Sequence, residues 1–189
     1  MAEISREALE LGLGLFEQFI YTERMAPEEK RQIIYEADRI GSRRAEEIRE
    51  EFGNDRAEDI LKKLGVSVVE EREGMVQEKY VHFAQFLPKA REIRLNEAAL
   101  DRLGNHMERK QAREIILCHE LYHYFEVFRW GKTSLKFKRS VRLFGRLPVR
   151  RQILPAAEIA ANAFVRRMLE LNFEPQKIEQ FYWEKGEKC

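Results

Sequence analysis

Two histidines and a glutamate lie within five consecutive residues of segment 115–126, which reads IILCHELYHYFE. In an α-helix, residues i and i+4 lie on one face, so His119 and His123 could point both imidazoles at a single cation. Glu120 lies about 100° away around the helix and would not share that face. A carboxylate there could instead accept the proton of an attacking water molecule as a general base. The segment therefore predicts two metal ligands and a catalytic base.

The alternative explanation of this segment is a coincidence in a charged, helical chain. A chance match to HExxH is expected on the order of 1% of the time in a chain of this length. The flanks, Ile115–Cys118 and Tyr124-Phe125, are strongly apolar, so histidines between them would be buried. A buried imidazole needs polar partners or a metal ion. We therefore favour a metal site, which requires a third ligand elsewhere in the sequence.

The third ligand is not supplied by the extended pattern HExxHxxGxxH, because Glu126 and Arg129 stand where that pattern has its glycine and last histidine. Glu126 falls on the ligand face, but one straight helix rarely wraps three ligands around an ion. We therefore interpret it as a surface carboxylate or as a support for a ligand. Glu158, 35 residues after His123, is the better candidate. It lies in an alanine-rich helix that begins at Pro155 and can pack closely on a neighbouring helix.

Four further side chains are candidates for contact with a substrate or for support of a ligand. Asn162 follows Glu158 by one helical turn, shares its face and could hydrogen-bond a ligand. Tyr122, inside the motif, could narrow the cleft or contact a substrate. His82, in a predicted strand, and His106, in a predicted turn, are interpreted as structural or substrate-facing rather than as ligands. Tyr122, Tyr124 and these two histidines are also candidates for the donor that stabilises an oxyanion.

The elements that must position these residues follow from the period of the apolar residues. Short strands between helical regions predict an α+β fold, mostly helical, with a small three-stranded antiparallel sheet packed on the HExxH helix. The predicted elements are helices up to about residue 64, with a start at Pro27 and an interruption at Gly41-Ser42; strands at 66–71, 79–87 and 92–96; a helix from about 97 to 129; a loop at 131–152; and a helix from Pro155.

Three parts of the chain are predicted: an N-terminal helical extension (1–41), a zincin-like metallopeptidase domain (42–175) and a C-terminal tail (176–189). The 34 basic and 33 acidic side chains nearly cancel, so bulk charge does not indicate nucleic acid or a membrane as the main partner. No stretch approaches the ~18 apolar residues of a membrane span. Two cysteines and an N-terminus unlike a signal peptide favour a cytoplasmic protein.

The segment from Arg129 to Arg151 has a distinctive charge, since it contains nine basic residues and no acidic residue. It could be a solvated loop that covers the mouth of the active site. It could equally bind an acidic protein substrate, a nucleic acid or a nucleotide. The sequence leaves direct binding of nucleic acid open.

The motif HELYH, followed after 35 residues by E-I-A-A-N-A-F, resembles the ImmA/IrrE family of zinc metallopeptidases, which pairs HExxH with a downstream E-x-x-A-N-x-F-A. The order of a helix, an LGVSV strand entry, a hairpin, an IRLN strand and the motif helix is also similar, over about residues 42–171. The resemblance implies Zn²⁺ held by His119, His123 and Glu158, with Glu120 as catalytic base. It also implies a cytoplasmic endopeptidase, often one that cleaves a repressor or an antitoxin-like DNA-binding protein.

The chain departs from that family at three places. Tyr122 stands where many members have glycine, the segment after the motif helix is basic, and the first forty residues lie outside the resemblance. The expected function is a zinc-dependent metalloendopeptidase that hydrolyses a protein or peptide substrate. The alternative is a non-catalytic regulatory protein that keeps the fold and uses residues 129–151 to hold an acidic protein or a nucleic acid. Glu120 counts against the alternative, because pure binding has no chemical need for a general base.

Overall fold

A computed structural model describes residues 4–23, 25–72, 76–77, 80–143 and 147–184. Helices dominate this part of the chain, and the strands form small sheets, so the α+β prediction is confirmed at that level. The helices are α1 (Arg6–Glu17), α2 (Pro27–Phe52), α3 (Ala57–Lys63), α4 (Glu97–Leu103), α5 (Arg109–Phe125), α6 (Pro155–Met168) and α7 (Lys177–Trp183). The strands are β1 (Ser67–Glu71), β2 (Val76–Gln77), β3 (Tyr80–Val81), β4 (Ala84–Leu87), β5 (Glu92–Asn96), β6 (Lys138–Leu143) and β7 (Leu147–Gln152).

The three-stranded sheet has the order β1-β5-β4, and β4 packs on α5, the helix that carries HELYH. Its strands are not all antiparallel, so that part of the prediction is wrong: β4 runs antiparallel to β5, but β1 runs parallel to it. A four-residue connection forces β4 and β5 to be antiparallel. No tight turn joins β1 to β5, so sequence proximity does not fix their relative direction.

The predicted strand 79–87 is divided in the structure. Tyr80–Val81 forms β3, which pairs with β2, and Ala84–Leu87 forms β4 after a break at His82-Phe83. Residue 79 lies outside the described residues. The break lets the chain leave the β2–β3 hairpin and enter the main sheet, and it places His82 in the connection rather than within a strand.

The helix α2 runs without interruption across Gly41, so the predicted break at Gly41-Ser42 is wrong. Glycine is needed there for packing: a Cβ on Gly41 would lie 2.0 Å from the carbonyl oxygen of Ala160 in α6. The backbones of α2 and α6 therefore approach each other more closely than any side chain at this position would allow. The predicted boundary between an extension and a domain at 41/42 falls inside this helix.

Three further elements differ from the predictions. The helix predicted over 97–129 is two α-helices, α4 and α5, and the second continues as a turn of π-helix over Glu126–Trp130. The predicted loop 131–152 contains a 3₁₀ turn over Thr133–Leu135 and the antiparallel hairpin β6–β7. Its alternation of basic and apolar residues is a strand pattern that the high charge obscured.

The first and last helices both contribute to one hydrophobic core. Leu15 and Phe16 of α1 and Ile178 and Tyr182 of α7 are buried in the same cluster as the apolar face of α5. Part of the predicted C-terminal tail is thus a packed helix. Within the described residues, no helix combines the length and the apolar character that a membrane crossing would require.

Candidate metal centre

The structure brings His119, His123 and Glu158 together as a group that could hold a metal ion. The Nε2 atoms of the two histidines lie 3.1 Å apart. The Nε2 atom of His119 is 3.3 Å from Oε2 of Glu158, and that of His123 is 3.7 Å from Oε1. Two imidazoles and a carboxylate from two helices therefore lie close enough together to share one metal ion.

The helices explain why these atoms meet. His119 and His123 lie one turn apart on α5, whose other faces are anchored in the core by fully buried residues such as Leu117 and Leu121. Glu158 lies in the first turn of α6, where the small side chains of Ala157 and Ala161 leave room for the neighbouring helices. The prediction that an alanine-rich helix brings this carboxylate to the histidines therefore agrees with the geometry.

A buried carboxylate holds His123 from the side opposite the ligand cluster. Oε2 of Glu126 lies 2.9 Å from Nδ1 of His123, and Oε1 accepts a hydrogen bond of 2.6 Å from the backbone N–H of Thr133. The side chain of Thr133 in turn lies 2.5 Å from the hydroxyl of Tyr122 through its Oγ1 atom. Glu126 thus fixes the ring of His123 with Nε2 directed at the cluster, which is how carboxylates commonly orient metal-binding histidines.

Electrostatic interactions strongly shift the pKa values of two of the three candidate ligands, His123 and Glu158. Burial would lower the pKa of His123, but the hydrogen bond that its ring donates to Glu126 and the charges of Glu158 and Glu120 outweigh burial and raise that pKa to about 9. Burial would raise the pKa of Glu158, but its contact with His119 and the charge of His123 lower it to about 2. The carboxylates around His119 and His123 therefore stabilise a positive charge between them. Either a proton on a histidine or a metal cation can supply that charge.

A cleft of about 340 Å³ opens over the cluster. Glu120 and Asn162 line it beside the candidate ligands, and His82 lines it from the connection between β3 and β4. Asn96 holds that connection in place, because its Nδ2 donates a 3.0 Å hydrogen bond to the carbonyl oxygen of His82. The predicted base, the predicted helper on α6 and an exposed histidine therefore share one cavity.

Two predicted candidates lie elsewhere. Tyr122 is fully buried, with its ring against Trp130 and Phe164, so the prediction that it narrows the cleft or contacts a substrate is wrong. Its position in the motif is on the core side of α5. His106 stacks on Phe181 of α7 at a centroid distance of 5.5 Å and does not line the cleft, so a structural role fits it.

Two further observations concern residues near the motif. Cys118 is fully buried, and burial raises the pKa of its thiol, so it packs as a small core residue. The basic segment does not cover the cleft: no described residue from 129 to 151 lines it. The interpretation of that segment as a loop over the active-site mouth is therefore wrong for the part of the chain that the structure describes.

The sequence did not indicate several residues that shape the site. Thr133 supplies a backbone N–H, a group present at every residue except proline, so no sequence signal marks it. The cleft is also walled by residues from both ends of the chain, namely Leu15 of α1 and Gln176, Ile178 and Glu179 around α7. Helical spacing of Ile178 and Tyr182 was the one available signal for a packed C-terminal helix.

Comparisons of the chain with family models, with curated proteins and with solved structures find no match.

Proposed function

We propose that this protein is a zinc-dependent metalloendopeptidase. The observation that carries the proposal is the convergence of His119, His123 and Glu158 on one point, with Glu120 lining the same cleft. Two imidazoles and a carboxylate are the protein ligands of one established type of catalytic zinc site, in which a fourth position stays open. The motif resemblance to the ImmA/IrrE family supports the same function.

The distances between the ligand atoms suit zinc. Bonds of about 2.0–2.1 Å to a tetrahedral ion place its ligand atoms about 3.3–3.4 Å apart. The two Nε2 atoms lie 3.1 Å apart, and they lie 3.3 and 3.7 Å from the two different carboxylate oxygens of Glu158, which is close to that value. The mixed nitrogen and oxygen set also fits zinc better than calcium or magnesium, which prefer oxygen ligands alone.

A bound zinc ion would supply a Lewis acid that makes water more acidic and polarises a peptide carbonyl. The chain's own residues then have distinct tasks. Glu120 accepts a proton from the attacking water and delivers it to the leaving amine. Glu126 holds His123 in the orientation that a ligand requires. Asn162 and His82, which line the cleft, are candidates for hydrogen bonds to the substrate or to the oxyanion.

An extended peptide is the substrate form that the surroundings of the cleft favour. The strand β4 is an edge of the three-stranded sheet, and Ala84 at its start lines the cleft. A peptide could therefore add to this edge by main-chain hydrogen bonds. The family resemblance adds a candidate substrate class, a repressor or antitoxin-like DNA-binding regulator. It also implies a cytoplasmic location, which the low cysteine content suits.

Metal content and cleavage test the proposal separately. We expect about one zinc per chain in the purified wild type and a large loss in His119→Ala, measured by elemental analysis. We expect Glu120→Gln to keep its zinc but to lose cleavage of a library of internally quenched peptides by at least about 10²-fold, the low end for a missing general base.

Two results would contradict this function. Zinc near zero in the wild type after purification without chelators would remove the metal centre. Cleavage that is unchanged in Glu120→Gln would remove the catalytic role of that carboxylate. An exposed glutamate outside the cleft provides the matched control: Glu51→Gln makes the same chemical change and should leave both zinc content and cleavage unchanged.

A non-catalytic binding protein is the second candidate function. The observation that favours it is the basic hairpin β6–β7, none of whose described residues lines the cleft. In cells, a pure binding protein should tolerate Glu120→Gln, whereas a peptidase should not. The two functions therefore make opposite predictions for the same variant.

A further inference from the structure

Charge is segregated in this protein although its total is nearly balanced. Residues 129–151 contain nine of the 34 basic side chains and none of the 33 acidic ones. The remaining residues therefore carry 25 basic against 33 acidic side chains. The described charged residues that line the cleft apart from histidine, Glu120, Glu158 and Glu179, are all acidic. Segment 129–151 is therefore strongly basic, and the rest of the chain has an excess of acidic side chains.

Several basic side chains of segment 129–151 differ from most other arginines in forming no ion pair, although Arg129 pairs with Glu51. Elsewhere, Arg109 pairs with Glu70, and Arg166 pairs with Asp38 and Glu174. Among the described residues of segment 129–151, five exposed cations form no ion pair with a carboxylate. They are Lys132, Lys136, Lys138, Arg150 and Arg151.

The shape of this region is a two-stranded ribbon. The strands β6 and β7 have six residues each, about 20 Å of extended chain, and they pack chiefly on each other. Lys138 pairs with Gln152 and Ser140 pairs with Arg150, so Lys138 and Arg150 share one face of the ribbon. Arg151 belongs to the other face, because alternate residues of a strand point to opposite sides. Basic groups are thus available on both faces.

We propose that the β6–β7 ribbon binds double-stranded DNA by entering the major groove. A two-stranded ribbon fits that groove, which is about 12 Å wide, whereas the deep major groove of duplex RNA is too narrow. Phosphates line both walls of the groove and match cations on both faces of the ribbon. An acidic protein surface would neutralise mainly one face. Contacts of unpaired cations with phosphates contribute most to the binding free energy, because no internal ion pair is broken. Such contacts also release the counterions that surround the DNA.

This binding goes beyond the proposed peptidase activity and uses none of its residues. The acidic cleft and the acidic body repel phosphates, so contact is confined to the ribbon and its base at Lys132 and Lys136. Binding through phosphates should be largely independent of base sequence. Glu120→Gln should therefore bind DNA as the wild type does.

The test measures binding of the full-length protein to fluorescein-labelled duplex DNA of mixed sequence, by fluorescence anisotropy, at about 50 to 200 mM salt. Five phosphate contacts predict a slope of about −4 to −5 in log K against log salt. The charge reversals Lys138→Glu and Arg150→Glu together should weaken binding at least about tenfold and bring the slope about two units closer to zero. Circular dichroism checks that the double variant is folded.

The matched control changes the same net charge away from the ribbon. Lys89 and Lys110 are exposed, and within the described residues neither pairs with a carboxylate. Lys89→Glu combined with Lys110→Glu should leave the salt slope unchanged. If the charge reversals perturb folding, the double variant Lys138→Gln and Arg150→Gln should still bring the salt slope about two units closer to zero.

Several outcomes would overturn the assignment to DNA. One is the absence of binding by the wild type at the lowest salt concentration. Another is an equal loss of affinity in the Lys89 and Lys110 control, which would indicate a bulk charge effect. Equal affinity for polyglutamate would indicate an acidic protein partner, and equal affinity for duplex RNA would remove the groove argument.

Discussion

At the scale of single residues, the orientation of His123 depends on Glu126 as much as on the motif itself. The carboxylate is 5% exposed and contacts both Nδ1 of His123 and the backbone N–H of Thr133. Burial would raise its pKa, but the hydrogen bonds from His123 and Thr133 outweigh it and lower that pKa. Glu126 is therefore an ionised hydrogen-bond acceptor that holds one tautomer and one orientation of the ring.

We expect Glu126→Gln to lower zinc affinity about 10- to 100-fold, because the amide keeps the shape of the side chain but loses the charge behind His123. Competition with a chelator of known affinity measures the change. Glu51→Gln, at an exposed partner of Arg129, is the control and should bind zinc as the wild type does. Equal affinities of wild type and Glu126→Gln would show that this contact does not position the ligand.

At the scale of secondary-structure elements, the position of Glu158 depends on how closely α6 packs against α2. Gly41 makes that approach possible, since a Cβ there would lie 2.0 Å from the oxygen of Ala160. Ion pairs of Arg166 with Asp38 and of Arg167 with Glu46 join the same two helices further along. The α2–α6 pair therefore acts as the support that presents Glu158 to the histidines of α5.

Gly41→Ala should consequently destabilise the protein by about 1–3 kcal/mol, the usual cost of overpacking, despite the better helix propensity of alanine. It should also weaken zinc binding, because α6 must move to relieve the clash. Urea unfolding and chelator competition measure the two effects. Gly14→Ala in α1 is the control: a Cβ there meets no atom within 4 Å, so stability should rise by up to about 1 kcal/mol. A neutral Gly41→Ala would contradict the packing argument.

At the scale of the whole molecule, the charges of the cluster couple folding to pH. The pKa of His123 is raised on folding, so its contribution to stability is complete below the unfolded pKa of about 6.5 and is lost as pH rises through about 9. The pKa of Glu158 is lowered, so its contribution is complete above about 4.5 and is lost as pH falls through about 2. In the metal-free protein both contributions are complete between about pH 4.5 and 6.5.

Comparison with the double variant His123→Asn and Glu158→Gln isolates this effect from the titration of other groups. In the presence of a chelator, the free energy of unfolding of the wild type should exceed that of the variant most between about pH 4.5 and 6.5. The difference should shrink on both sides of that window. Urea unfolding from about pH 3 to 9 measures it, and a pH-independent difference would show that the two charges do not interact.

Local spacing in the sequence was enough to identify the two histidines, Glu120 and the helix that carries them, because an i, i+4 pair depends only on helix geometry. Residue type also indicated Glu158, since a run of alanines around one carboxylate signals close packing. The elements with a regular apolar period were identified for the same reason, with the basic hairpin as the main exception.

Tertiary structure alone decided the rest, because it depends on contacts between residues far apart in the chain. The parallel direction of β1 next to β5 follows from no local turn, and the unbroken course of α2 at Gly41 follows from its fit against Ala160. The hydroxyl of Tyr122 and the carboxylate of Glu126 both contact a threonine seven residues beyond Glu126. The residues of the candidate metal site could be predicted from the sequence, whereas the contacts that hold them in place became visible only in the folded chain.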